Sequence, residues 1–350
     1  MSKKVIDAFN MMVVSKYFIT IADFINLELV CKKFTGNMTR FHFNPISLTT
    51  STRRFFPHLQ TICLYTPDDE IFDDDEVEQR SVQYYVNYTT TKAQRNTKIH
   101  YPFIEFNSHD ANTNDEIPEI VGRISNNTFC DKYISSCVIP SRVVTIGNSA
   151  FCGCGNLSCV TFPSHLKEIN NKAFYHCFKL KSLELPICVS YIGEFAFEMC
   201  TSLREVTLPC YLEVVEACCF SICGSLSKVV FPSDLKKIEH NAFESCTQLK
   251  HLNFPESVNF IGERAFYLCV SLESINIPSN ATCSLNCFQM CSKLANVQNL
   301  EAVKDLKMVF MGCPNIYNEQ ALLLEQGEAQ RTQENYEKDI KKTKINCFIA

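Results

Sequence analysis

The chain has 350 residues, 46% of them hydrophobic and 20% charged, with a formal net charge of −5. At roughly 150 residues per domain this allows two domains or one long repetitive one, and the apolar share marks a globular chain, not a disordered one. The mild acidity argues against a dedicated nucleic-acid binder, which carries a basic excess.

Residues 1–50 read as helical. Phe9, Met12, Val13, Tyr17, Phe18 and Ile21 recur at intervals of three and four, as on an amphipathic helix. A second helix is predicted from Asp23, read as an acidic cap, through Phe24, Leu27 and Val30 to Phe34. The stretch ending Val30-Cys31-Lys32-Lys33-Phe34 resembles the later part of an F-box, although Ser2-Lys3-Lys4-Val5 stands where that motif opens with Leu-Pro. The resemblance implies a Skp-type adaptor as partner and a substrate-receptor role in a ubiquitin ligase. A helical cap over the first edge of the following solenoid is the other reading.

Residues 51–117 are less regular. Pro57 to Leu64 resembles half of the repeat described next, with Leu59, Ile62 and Leu64 apolar. The run from Asp68 to Glu78 is strongly acidic and reads as a solvated loop. Beyond it the chain is polar and rich in Tyr and Thr, with one weak strand candidate at Phe103 to Phe106.

From 118 to 316 the chain repeats. Prolines stand at 140, 163, 186, 209, 232, 255 and 278, a constant step of 23. Eleven residues after each comes Phe, giving Phe151, Phe174, Phe197, Phe220, Phe243 and Phe266, then Phe288 and Phe310 after one-residue deletions. Three further on comes Cys: Cys154, Cys177, Cys200, Cys223, Cys246, Cys269, Cys291 and Cys313. Each unit reads Leu-x-x-Val-x-Phe-Pro-x-x-Leu-x-x-Ile-x-x-x-Ala-Phe-x-x-Cys. The alternating residues before Pro form a short strand, which Pro closes because it has no N–H to donate. The Ala-Phe-x-x-Cys half is predicted to be a tight helical or 3₁₀ turn. So short a unit buries its apolar face only against its neighbours, so the fold class is an α/β repeat solenoid with short parallel strands on one face and turns on the other.

The pattern resembles the BspA-like class of leucine-rich repeats, with about nine units over 118–316. The resemblance implies a stacked parallel sheet and adhesion or host-protein binding at a cell surface. Both ends depart from the pattern, Lys132 replacing Cys and Leu300 replacing Pro, as terminal caps do.

The Cys column reads as buried small hydrophobes. Disulfides between turns are sterically conceivable at a spacing of about 5 Å, but reduced thiols are expected in a cytosolic chain. No 18-residue apolar run and no clean leader peptide occur, so the Asn-x-Ser/Thr triplets at Asn37, Asn87, Asn126, Asn156 and Asn280 are chance matches. Cys219-x-x-x-Cys223 and Cys283-x-x-x-Cys287-x-x-x-Cys291 lack zinc-site spacing, and no metal or cofactor is expected.

Residues 317–350 read as a closing helix, a polar tether and a terminal box, Cys347-Phe348-Ile349-Ala350. A thiol four from the end followed by two apolar residues and Ala fits a farnesylation box. Lys341, Lys342 and Lys344 supply the basic second signal that a single lipid chain needs, placing the chain on the cytosolic face of a membrane.

No phosphate-cradling loop, metalloprotease motif or nucleophile context occurs, so the expected function is a non-enzymatic scaffold for a protein or glycan ligand. Outward residues on the strands are the candidate binding face: Glu184, Glu205, Lys228, His251, Asn253 and Asn276, beside smaller neighbours such as Thr161 and Ser274.

Overall fold

The computed structural model describes residues 7–72, 77–94, 98–114, 116–300, 303 and 305–316. The predicted tether, the Lys cluster and Cys347 lie outside these residues. Two compact units divide the chain, Met1–Ile124 and Ser125–Ala350.

The first unit opens with α1 (Ala8–Ser15) and α2 (Ile21–Val30). Asp7 caps α1, its carboxylate accepting from the Asn10 N–H at 2.7 Å. In α2 the cap is Thr20 instead of the expected Asp23. Asp23 stands at the third helical position and accepts from the Thr20 N–H at 2.9 Å, closing a capping box. The predicted long first helix is split, because the turn at Tyr17 and Phe18 separates α1 from Ile21. Phe24 anchors α2: it is fully buried, with ring centroids 5.1 Å from Phe18, 5.9 Å from Phe41 and 5.6 Å from Phe56.

Parallel strands follow well before the 23-residue pattern begins. Strands β1 (Thr61–Leu64), β2 (Gln79–Val82) and β4 (Ile99–His100) pair side by side. So do β3 (Val86–Asn87), β5 (Ile104–Phe106) and β6 (Arg123–Ile124), with the short helix α3 (Tyr88–Ala93) between β3 and β4. The pairings Thr61↔Gln79, Arg80↔Ile99 and Val86↔Ile104 give steps of 18 or 19 residues. A search for a 23-residue period passes over them. The acidic run is partly built into this unit: the Asp69 carboxylate accepts from the Tyr65 N–H at 2.6 Å and Ser47 Oγ at 3.0 Å, and Glu70 from the Thr50 N–H at 2.6 Å.

In the second unit most coils make two strands. Three-residue strands lie at Ser136–Val138, Cys159–Thr161, Glu205–Thr207, Lys228–Val230, His251–Asn253, Ser274–Asn276 and Asn296–Gln298. Six residues past each Pro from Pro140 to Pro255 lies the end of a second, two-residue strand, such as Glu168–Ile169 after Pro163 and Lys237–Ile238 after Pro232. Pro joins the two: its carbonyl accepts from the residue three on, as in Leu166 N–H to Pro163 O at 3.1 Å. The strand centre and the Leu, Ile, Ala, Phe and Cys positions all turn inward; Phe151, Phe174, Phe197, Phe220, Phe243 and Phe266 are fully buried.

The third side of the coil is neither helix nor strand. The residue before Ala and the residue two past Phe take positive φ, even where they are Lys172 (57°), Phe195 (58°) or Ile222 (58°). Left-handed backbone costs about 1–2 kcal/mol per residue. The offset is visible: each of these residues donates its N–H to the following coil, Lys172 to Glu194 O at 2.9 Å, His176 to Glu198 O at 3.0 Å and Ile222 to Glu244 O at 2.7 Å. The Phe between them donates likewise, Phe174 to Ala196 O at 2.8 Å. The intervening N–H groups close tight turns within the coil, as in Cys177 to Phe174 O at 3.2 Å.

Two columns run through the interior. The Phe rings stack nearly parallel from Phe129 to Phe310, with neighbouring centroids between 4.9 Å (Phe129–Phe151) and 5.6 Å (Phe288–Phe310) and an interplanar angle of only 1° at Phe174–Phe197. Beside them each column thiol donates to the Phe carbonyl of the preceding coil: Cys154 to Phe129 O at 2.9 Å, Cys177 to Phe151 at 3.2 Å, Cys200 to Phe174 at 3.4 Å, Cys223 to Phe197 at 3.2 Å, Cys246 to Phe220 at 3.2 Å and Cys269 to Phe243 at 3.3 Å. The cysteines are therefore more than small hydrophobes. Burial pushes the Cys154 and Cys223 thiols up to about 12 and raises Cys177, Cys200, Cys246 and Cys269.

Two outcomes are expected. Phe197→Ala or Phe220→Ala removes a ring stacked on both sides and should cost about 3–5 kcal/mol in denaturant titration. Phe310→Ala should cost clearly less, since among the described residues Phe310 stacks on Phe288 alone. At neutral pH iodoacetamide should modify the exposed Cys159 and Cys210 first. The column thiols, protonated and buried, should react only on unfolding, as peptide mass mapping over a denaturant series would show.

Candidate functional site: the three-residue strand row

Alternation along three-residue strands turns one residue inward and two outward. The burial follows that rule at Cys159–Thr161, Glu205–Thr207, Lys228–Val230 and His251–Asn253, where the middle residue is buried and both neighbours are exposed. Glu205, Lys228 and His251 thus lie exposed four residues before the Pro of successive coils, and Glu184 and Asn253 lie exposed two residues before theirs.

Register sets who stands beside whom. Glu205 pairs with Lys228 and Thr207 with Val230, while His251 pairs with Ser274 and Asn253 with Asn276. The His251 ring joins its neighbour, Nδ1 lying 2.8 Å from Ser274 Oγ. Asn276 is different: its Oδ1 accepts from the Phe254 N–H at 2.7 Å and its Nδ2 donates to the Phe254 carbonyl at 3.0 Å. That amide is half-buried and already committed to the backbone of the preceding coil.

The row is interrupted at the coil of Leu183, which keeps a single bridge to Val206 in place of a full strand pairing. There the surface dips into a shallow cleft of about 360 Å³ lined by Ser182, Leu183, Glu184, Leu185, Glu205 and Thr207. Two carboxylates flank it. The row therefore runs from an acidic cleft at Glu184 and Glu205, across Lys228, to a hydrogen-bonding stretch from His251 onward.

Sequence reasoning found the outward positions but missed the cleft, because the Leu183 coil keeps the same Leu-x-Leu spacing as its paired neighbours. It also missed a row of side chains that carry hydrogen bonds from coil to coil: Asn148 N–H to Asn126 Oδ1 at 2.8 Å, then Asn171 N–H to Asn148 Oδ1 and Glu194 N–H to Asn171 Oδ1, both at 3.2 Å. Asn at a fixed offset after the aliphatic pair was the available signal. Among the described residues no group of three or more His, Cys, Asp or Glu is arranged to hold a metal ion. Nor is any helix there long and apolar enough to cross a membrane.

Comparison with known proteins bears on this architecture. The family model described as BspA type leucine-rich repeat region matches residues 122–234 and 213–320, in six copies. Among solved structures, the chain is similar to a leucine-rich repeat protein of T. pallidum, at 24% identity over 61% of this chain and 77% of that one, with a TM-score of 0.30. It is also similar to a leucine-rich repeat protein of Eubacterium ventriosum, at 16% identity over 71% of this chain and 82% of that one, with a TM-score of 0.41. The comparison with curated proteins finds no match. With the repeat model covering more than half of its length, the chain belongs to the BspA type leucine-rich repeat family.

Proposed function

We propose that this chain is a non-enzymatic interaction scaffold that holds a protein ligand on its three-residue strand row. The observation that carries this reading is the row itself. Chemically varied side chains stand exposed on a rigid backbone at fixed spacing, next to a cleft flanked by Glu184 and Glu205. Such a surface offers hydrogen bonds and charges without ordering cost, since the coils beneath are already fixed. A glycan ligand would use the same polar groups.

A second reading concerns the helices. Phe9 of α1 and Leu29 and Val30 of α2 are 67%, 78% and 85% exposed, and Tyr17 and Ile19 between the helices 83% and 86%, so the apolar residues of this segment do not all serve the core. With the F-box-like sequence, this supports docking of a Skp-type adaptor there, which would make the strand row a substrate receptor. Lipid attachment at Cys347, reinforced by Lys341, Lys342 and Lys344, is the third element of the proposal and rests on the sequence.

One capture experiment separates the first two. Full-length chain with Glu205, Lys228, His251 and Asn253 all changed to Ala should hold the row's ligand at least about 10-fold more weakly, as loss of even one strong contact does. It should keep any adaptor. The double variant Leu29→Asp, Val30→Asp should do the reverse. Undiminished ligand binding by the fourfold variant would place the site elsewhere. For the anchor, Cys347→Ser should move the protein from the membrane to the soluble fraction without changing its circular dichroism. An intact mass ending in unmodified Ala350 in the native cell would remove the lipid from the scheme.

A further inference from the structure

Two groups of cysteines in the second unit differ by position. The column thiols are buried and spent on Phe carbonyls. Cys130 and Cys152 lie one residue past the Phe of their coils, on the turn side, and both are partly exposed. Their backbones run side by side: Phe129 N–H meets Ala150 O at 2.7 Å and Asp131 N–H meets Cys152 O at 2.7 Å, bracketing the pair in register. The Cys130 thiol donates to the adjacent Asp131 carboxylate, Sγ to Oδ2 3.5 Å. Hydrogen-bonded neighbouring backbones lie about 4.8 Å apart, inside the Cα range of about 4.4–6.8 Å that a disulfide spans.

Other thiols of the unit are worse placed. Cys137 pairs with Val160, so it and the outward Cys159 are out of register. Cys210 directs its thiol to Ile187 O at 3.7 Å, one residue out of register with Cys188. Cys283 contacts Cys287, but Cys287 is fully buried. In the third coil the position equivalent to Cys130 and Cys152 is Tyr175, which ends the row of adjacent thiols at two.

We propose that Cys130 and Cys152 are a reversible thiol-modification site, forming an intramolecular disulfide with a small-molecule disulfide such as oxidised glutathione as oxidant. One protein thiolate attacks a sulfur of the small disulfide, breaking its S–S bond, and a glutathione thiolate leaves. The second protein thiolate then attacks the protein sulfur of this mixed disulfide and expels the other glutathione. Two protein thiols are oxidised, one disulfide is reduced to two thiols, and the two protons lost by the cysteines are taken up by the leaving thiolates.

The surroundings assign the order. The hydrogen bond from Cys130 Sγ to Asp131 Oδ2 holds the Cys130 proton in place, and burial pushes this thiol up to about 11. Burial also raises Cys152, while the Lys172 ammonium acts in the opposite direction. Cys152 is the attacking thiol and Cys130 the resolving one. Because the attacking form is the thiolate, the rate rises with pH.

Incubating the purified full chain with oxidised glutathione near pH 8, quenching in acid and mapping peptides tests this. The expected product joins the Cys130 and Cys152 peptides, has lost two hydrogens, carries no glutathione and returns to the thiol form with dithiothreitol. Cys130→Ser should stop at a glutathione adduct on Cys152, whereas Cys152→Ser should form its adduct on Cys130 at least several-fold more slowly; circular dichroism checks that both variants keep the solenoid. Three results would overturn the proposal: a persistent glutathione adduct on either thiol of the wild type, linkage of either thiol to another cysteine, or both remaining free while Cys159 and Cys210 are modified.

Discussion

From Phe151 to Phe288 the carbonyl oxygen of each repeat phenylalanine takes two hydrogen bonds. One comes from the backbone N–H of the cysteine three residues on, the other from the thiol of the cysteine in the next coil: Phe174 O receives Cys177 N–H at 3.2 Å and Cys200 Sγ at 3.4 Å. The first bond closes the turn, and the second ties that turn to its neighbour. Because the carbonyl is buried, a missing partner would leave an uncompensated polar group, a loss of about 1–3 kcal/mol. The ring on the same residue is stacked on both sides. Turn closure, coil stacking and side-chain packing therefore converge on one residue per coil, and the strand rows ride on that alignment.

This convergence explains what the sequence displays and what it conceals. Pro163, Phe174 and Cys177 recur because each meets a steric or hydrogen-bonding demand that few residues satisfy, so the repeat and its buried face could be read directly. The strands of the first unit obey the same parallel pairing with a shorter step and without the Phe and Cys columns, so Gln79–Val82 and Ile99–His100 carry no repeated mark. The cap of α2 was misplaced by three residues because Thr20 and Asp23 share the task. The left-handed positions were illegible for another reason: Lys172, Phe195 and Ile222 have no local preference for positive φ, and only the N–H acceptor in the following coil imposes it.

The candidate face was legible in outline only. Alternation shows which strand residues point outward, and Glu205, Lys228, His251 and Asn253 stand there. Alternation does not show which of them the backbone has already engaged. Asn276 occupies an outward position, yet its amide is bound at both ends to Phe254. The weakened pairing at Leu183 likewise arises between coils, so it leaves no trace along the chain.

The turn side has an electrical consequence. In a parallel strand row successive N–H groups point to opposite neighbours, and their dipoles largely cancel. On the turn side three N–H groups per coil, such as those of Lys172, Phe174 and His176, all point toward the following coil, and the carbonyls paired with them point back. Their moments add from coil to coil, as peptide moments do along a helix. Unlike in a helix, the positive pole lies at the end nearer the C-terminus, and the series closes at the Phe310 coil, whose Phe310 N–H donates back to Leu306 O at 3.0 Å. The stack thus behaves as a bar dipole laid across the chain direction: an anionic group is favoured beside the Phe310 coil, a cationic one beside the Phe129 coil, and every added coil lengthens the bar.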